Sequence, residues 1–233
     1  RVVFTCTGSE SNDLALRIAR LATGGEGVIV TSYAYHGTSA AVAAVSPNLG
    51  AAVNLSPFVR MVNLPGPEHI ADAQAADFFE AQVRAAITDL QRRGIGVAAL
   101  LFDSIFSSDG VWIDPPGFIA GAVHAVREAG GLIIADEVQP GFGRTGAHMW
   151  GFQRHGIVPD LVTLGKPMGN GFPIGAVVGR NGPMERFGQT ARYSNTFAGN
   201  TVGIACADAV LTILQRDRIL DSVAAVSQRL RRG

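Results

Sequence analysis

The strongest constraint on the fold is the run Val97-Ala98-Ala99-Leu100-Leu101-Phe102, six apolar residues without a break, closed by Asp103. A half-exposed strand alternates apolar and polar side chains. An unbroken run of this length is expected of a strand covered on both faces, as in parallel sheets sandwiched between helices. The pattern recurs: Leu132-Ile133-Ile134-Ala135 ends in Asp136-Glu137, and Leu161-Val162-Thr163-Leu164 ends at Gly165-Lys166. Between these runs lie helical patterns, predicted over Phe78–Arg93 and 117–129, with further helices at Val202–Leu214 and Ile219–Arg232. Gln91-Arg92-Arg93-Gly94 and Gly130-Gly131 supply stop signals for the first two. Alternating strands and helices define an α/β domain with a mainly parallel sheet, and ligands of such sheets gather at the carboxyl ends of the strands. Acids, aromatics and Lys166 all fall at those ends.

Composition narrows the function classes. The 233 residues are 47% hydrophobic, enough for one large domain with a sizeable core. Formal net charge is zero and the arginines are scattered, so no footprint for nucleic acid stands out. No apolar run approaches the length of a membrane span. Cys6 and Cys206 form neither a disulfide framework nor a metal-ligand pattern, which fits a reducing cytosol. Arg1 leads straight into Val2-Val3-Phe4, as expected of a piece of a longer polypeptide. Residues 45–70, rich in Pro, Asn, Gly and Ser, read as a long surface excursion.

Lys166 is the only lysine among 19 basic side chains. Where charge and packing suffice, this sequence uses arginine. A lysine amine, unlike a guanidinium, can shed its proton and condense with an aldehyde to give a Schiff base. The aldehyde that serves amines in biology is pyridoxal 5'-phosphate, whose ring nitrogen needs a carboxylate partner to act as an electron sink. Asp136 meets that need. The turn Thr7-Gly8-Ser9 opens a helical pattern and offers amides and hydroxyls to a phosphate, so Gly8 and Ser9 are candidates for holding it. Ser9 and Ser11 would also serve as helix caps. Tyr35 stands just beyond the strand Gly27–Thr31, where its ring either packs in the core or stacks on a flat ligand. A P-loop fails on spacing, because Lys166 is followed by Pro167 rather than Ser or Thr. The dinucleotide fingerprint fails too, for want of its second and third glycines.

The motifs Asp136-Glu137-Val138-Gln139-Pro140-Gly141-Phe142-Gly143-Arg144-Thr145-Gly146, Leu164-Gly165-Lys166 and Gly169-Asn170-Gly171-Phe172-Pro173-Ile174-Gly175-Ala176 closely resemble the class III pyridoxal-phosphate aminotransferases. Thr7–Asn12, Tyr35-His36-Gly37 and Asn195–Asn200 follow in the family's order. The resemblance implies the large domain of fold type I, over residues 1–233. It implies Lys166 as the cofactor anchor and proton shuttle, Asp136 on the pyridinium nitrogen, and Gln139 on the ring's phenolic oxygen. Gly8 and Ser9 match the phosphate cup and Tyr35 the stacking aromatic. Thr196 matches a threonine that reaches the phosphate of a neighbouring subunit, which implies a homodimer. His36 and Arg144 are read as serving turns and hydrogen bonds. The expected partners are a small amino donor and an oxo acceptor.

Three departures stand out. Asp103-Ser104 replaces the family's usual Glu-Pro, Ser108 replaces a glutamate typical of ω-amino-acid enzymes, and Thr201 replaces a proline after Asn200. The family's N-terminal residues and C-terminal small domain have no counterpart in this sequence. The expected activity is amino transfer. The alternatives are decarboxylase, racemase, mutase or lyase chemistry on the same cofactor, or a non-catalytic dimerisation scaffold.

Overall fold

The computed structural model describes residues 1–66, 72–112 and 114–232. Its strands are β1 (Val2–Thr5), β2 (Gly27–Thr31), β3 (Val59–Val62), β4 (Val97–Asp103), β5 (Leu132–Asp136), β6 (Leu161–Leu164) and β7 (Gly175–Gly179). Helices are α1 (Gly8–Thr23), α2 (Ala40–Ala43), α3 (Asp72–Arg92), α4 (Ala120–Glu128), α5 (Asn181–Thr190), α6 (Thr201–Arg216) and α7 (Ile219–Arg232). The strands form one sheet in the order β1-β7-β6-β5-β4-β2-β3. Pairings from β6 through β5, β4 and β2 to β3 are parallel, whereas β7 is antiparallel to both of its neighbours. The mainly parallel α/β reading therefore holds.

The unbroken apolar runs are explained by two cores. On one face Leu100, Phe102, Ile133 and Ala135 pack with Phe79, Val83 and Leu90 of α3 and Val123 and Val126 of α4. On the other, Ala99, Leu101 and Ile134 pack with Leu14 and Ile18 of α1 and Phe187 of α5. Successive strand residues point to opposite faces, so covering both faces requires apolar side chains at every position. Full burial of Leu100 and Leu101 contributes about 1.5–3 kcal/mol each.

Two elements differ from the sequence reading. The excursion 45–70 contains β3, which pairs with β2 at the sheet edge. Helix α5 spans a stretch with Gly182, Pro183 and Gly188, but Pro183 lies in its first turn, where the missing N–H breaks no helical bond. Residues 67–71 of the excursion lie outside the described residues.

Register brings the chemistry together. Asp103 is paired with Asp136, and Asp136 with Thr163, at the carboxyl ends of three adjacent strands. Lys166 follows β6 by two residues. Across from them α1 begins at Gly8, with Thr7 Oγ1 accepting the Glu10 N–H at 3.1 Å and Glu10 Oε2 accepting the Cys6 N–H at 2.7 Å. These two bonds fix where the helix starts and leave its first two amides, those of Gly8 and Ser9, without an intrahelical acceptor.

Candidate active site

Asp136 is buried, 5% exposed, and three donors hold it. Asn12 Nδ2 donates to Oδ2 at 2.9 Å, His36 Nδ1 lies 2.7 Å from the same oxygen, and the Val138 N–H donates to Oδ1 at 3.0 Å. With a carboxylate as acceptor, the His36 ring proton sits on Nδ1, and the buried Nε2 has no partner among the described residues. Oδ1 retains one free lone pair, and Asp136 lines a small cavity bounded also by Tyr35, His36, Gln139 and Lys166.

Asn12 ties this acid to its surroundings. Its Nδ2 also donates to the His36 carbonyl at 2.8 Å, while its Oδ1 accepts from Thr163 Oγ1 at 2.7 Å. Sequence reasoning assigned Asn12 no role. The available signal was a polar pair, Ser11-Asn12, inside the apolar pattern of α1; both side chains are buried, and Ser11 Oγ bonds the Leu164 carbonyl at 2.9 Å.

On the far wall Lys166 Nζ donates to Gln139 Oε1 at 2.8 Å, and both side chains are exposed. Lys166 has φ of 27°, an uncommon value for a residue with a side chain. Gly165 just before it approaches α1: a Cβ there would lie 3.1 Å from the Gly8 nitrogen. The lysine turn therefore packs on the helix N-terminus. Ser9 Oγ accepts the Thr38 N–H at 3.1 Å, leaving its own proton free to donate. Tyr35 is 40% exposed at the cavity wall.

Behind Asp136 sits a second acid. Glu137 is fully buried, accepting from Ser104 Oγ at 2.6 Å, Gly151 N–H at 2.7 Å and Phe152 N–H at 2.9 Å. Burial raises its pKa to about 7 despite these donors. Asp103 is also raised, first by burial, and is held by Ser107 Oγ and by the Ile105 and Ser107 N–H groups at 2.9 Å.

The sequence matches the class-III aminotransferase description over residues 1–233. The chain belongs to the class-III aminotransferase family. It is 37% identical to an alanine–glyoxylate aminotransferase 2-like protein of Drosophila melanogaster over 225 residues, 92% of this chain and 46% of that protein. A phospholyase from Arthrobacter, solved with phosphoethanolamine, superposes with a TM-score of 0.94 at 42% identity, covering all of this chain and 56% of that one. A taurine:2-oxoglutarate aminotransferase from Bifidobacterium kashiwanohense, solved with PLP and glutamate, gives 0.86 at 27% identity over 99% of this chain and 54% of that one. The chain spans about half the length of the curated relatives it matches.

The cofactor of this class-III chain is pyridoxal 5'-phosphate, and the residues present fit it. A lysine amine, a buried carboxylate with a free lone pair, an exposed aromatic ring and two unpaired helix amides are the donor set the cofactor calls for. Asp136, Gln139, Lys166 and Tyr35 share one cavity. Gly8 and Ser9 adjoin it through Gly165 rather than lining it. Thr196 stands exposed on the loop before α6 and lines neither that cavity nor the larger one beside it. His36 holds Asp136, as a hydrogen-bonding role required, but Arg144 makes no hydrogen bond or ion pair among the described residues. Among the described residues no helix is long and apolar enough to cross a membrane.

Proposed function

We propose that residues 1–233 form the cofactor domain of an aminotransferase that moves an amino group between an amino acid or amine and a 2-oxo acid or aldehyde. The observation that carries this reading is Lys166, hydrogen-bonded to Gln139, sharing a cavity with the buried Asp136. Bound pyridoxal phosphate supplies an aldehyde and an electron sink. Lys166 would anchor that aldehyde, and its free amine would hold or move a proton at the substrate carbon. Asp136 would pair with the ring nitrogen, and Asn12, His36 and the Val138 amide hold Asp136 in place. Gly8 and Ser9 would hold the phosphate, Tyr35 would stack on the ring, and Gln139 would bond the ring oxygen. The donor leaves as its oxo compound, and the acceptor leaves as an amine. Thr196 completes the phosphate site of a second copy, and the enzyme works as a cytoplasmic homodimer.

The test loads the full-length protein with pyridoxal phosphate, reduces it with borohydride and maps the modified peptide by mass spectrometry. A phosphopyridoxyl group on Lys166 is expected, together with amino transfer to a 2-oxo acid. A saturated, folded sample without that adduct overturns the reading in favour of a scaffold. A second reading, elimination from a phosphorylated amine, is favoured by the 42% identity to the Arthrobacter phospholyase. It predicts release of inorganic phosphate from phosphoethanolamine with no amino transfer.

A further inference from the structure

Two loops at the carboxyl end of the sheet wall the cavity that holds Asp136 and Lys166. The loop after β2 brings Tyr35 and His36, and the loop 104–111 after β4 brings Ser107 and Ser108. Asp109 lines neither this cavity nor the larger one of about 540 Å³ beside it. Its half-buried carboxylate turns instead to the other loop: Oδ2 accepts from Thr31 Oγ1 at 2.7 Å, and Oδ1 accepts the Tyr33 N–H at 3.1 Å. Among the described residues no other hydrogen bond joins the two loops.

The loop that carries Asp109 is a fixed base. Phe106 is buried, with its ring 6.0 Å from that of Phe102 and 5.5 Å from that of Phe118 between centroids. Asp103 holds the near end of the loop through the Ile105 and Ser107 N–H groups, each at 2.9 Å. Val111 closes the far end, its N–H donating to the Phe106 carbonyl at 3.1 Å. Phe106 has φ of 51° and Val111 φ of 61°, the latter an outlier for a β-branched residue. Such values persist only where the surroundings over-determine the backbone. Tyr35 differs: its ring is 40% exposed, so the backbone on either side sets where it stands. Asn48 Nδ2 bonds the Tyr33 carbonyl at 3.1 Å and Ser46 Oγ accepts the His36 N–H at 3.0 Å, both from the segment after α2. Asp109 supplies the hold from the other wall of the cavity.

We propose that Asp109 is a positioning residue for Tyr35: it ties the backbone that carries the tyrosine to the fixed loop 104–111 and so sets the ring at its stacking place over the cofactor. A carboxylate suits the task, because its two oxygens accept a hydroxyl and an amide at once and it has no donor to misplace. The proposal rests on the cofactor reading above, in which Tyr35 stacks on the ring.

The test is a double-mutant cycle in the full-length protein, read by equilibrium dialysis of pyridoxal phosphate and by the visible circular dichroism of the bound cofactor. Asp109→Ala is expected to weaken cofactor binding about fivefold or more and to reduce the dichroic band, with Tyr35→Ala doing the same. Asp109→Asn stays within about twofold of the wild type, since its oxygen still accepts the Tyr33 N–H and its NH2 can donate to Thr31 Oγ1. In the background of Tyr35→Ala, Asp109→Ala costs less than about twofold, because the ring it positions is gone. Equal losses in the two backgrounds overturn the proposal, and so does unaltered binding in either single alanine variant. Should Asp109→Ala fail to fold, Thr31→Val removes one of the two bonds and takes its place in the cycle under the same criterion. Absence of the Lys166 adduct in the wild type is the separate signature that the cofactor reading has failed.

Discussion

Substitution of Glu137 by glutamine isolates the electrostatic cost of building the end of β5. Burial moves this carboxyl from its ordinary 4.5 to about 7. The folded chain then holds the proton more tightly than the unfolded chain. Glu137 therefore favours folding in full below pH 4.5, and the advantage is lost as pH rises through about 7. At about 1.4 kcal/mol per pH unit, the contribution between those limits is about 3 kcal/mol. Glutamine keeps the volume and removes the titration. Its amide nitrogen also meets a backbone donor, because Gly151 N–H points at one carboxylate oxygen and Phe152 N–H at the other. That mismatch costs about 1–3 kcal/mol, equally at every pH. The unfolding free energy of the wild type minus that of Glu137→Gln should consequently fall by about 2–3 kcal/mol from about pH 5 to about pH 8. Urea unfolding of both proteins across that range reads the difference directly. A difference that stays flat with pH refutes the reasoning, since the offset alone carries no proton.

Asp136→Asn sets an amide NH2 among three donors, those of Asn12, His36 and Val138, and on the proposed function removes the carboxylate that would face the ring nitrogen. Cofactor affinity, read by equilibrium dialysis, should weaken by about tenfold or more, and unaltered affinity would show that Asp136 does not face the cofactor. Gly8→Ala places a Cβ 2.9 Å from both methyls of Val138 and should destabilise by about 1–3 kcal/mol. Most of that loss should disappear in the background of Val138→Ala, so a double-mutant cycle by thermal unfolding that comes out additive would remove Val138 as the cause.

The parts of the fold legible in the sequence are those where burial leaves one solution. Strands β4 and β5 are apolar at every position because helices cover both faces. Strand β3 was hidden because it lies at the edge: Val59 and Val62 are buried, Met61 is exposed, and the flanking Pro and Asn dominate the local signal. The candidate residues Lys166 and Asp136 stood out at strand ends in the sequence, and the structure brings both to one cavity. Asn12 did not stand out, because its partners Asp136 and Thr163 are 124 and 151 residues away in the chain and meet it only through the parallel register. Arg144 was read as a turn residue. The turn is real, but its bonds come from the glycines on either side, so the side chain is released from the task the motif seemed to set it.

Val138 shows why the lysine, the acid and the helix N-terminus stand or fall together. A Cβ on Gly8 would meet its methyls at 2.9 Å, and one on Gly165 would meet Cγ1 at 3.3 Å. One branched side chain thus occupies the space that two glycines leave open, from the chain segment two residues beyond Asp136. Its own amide donates to Asp136 Oδ1, so any push on the Val138 backbone reaches the acid through a 3.0 Å bond. Close-packed groups of this kind have few alternative arrangements, because a shift of one member opens a void or a clash for the others. The helix, the acid and the lysine turn are therefore held together by packing as well as by the bonds from Asn12 to Asp136 and from Ser11 to the Leu164 carbonyl. The flexible side chain of Lys166 is left to do the moving, over a backbone that cannot.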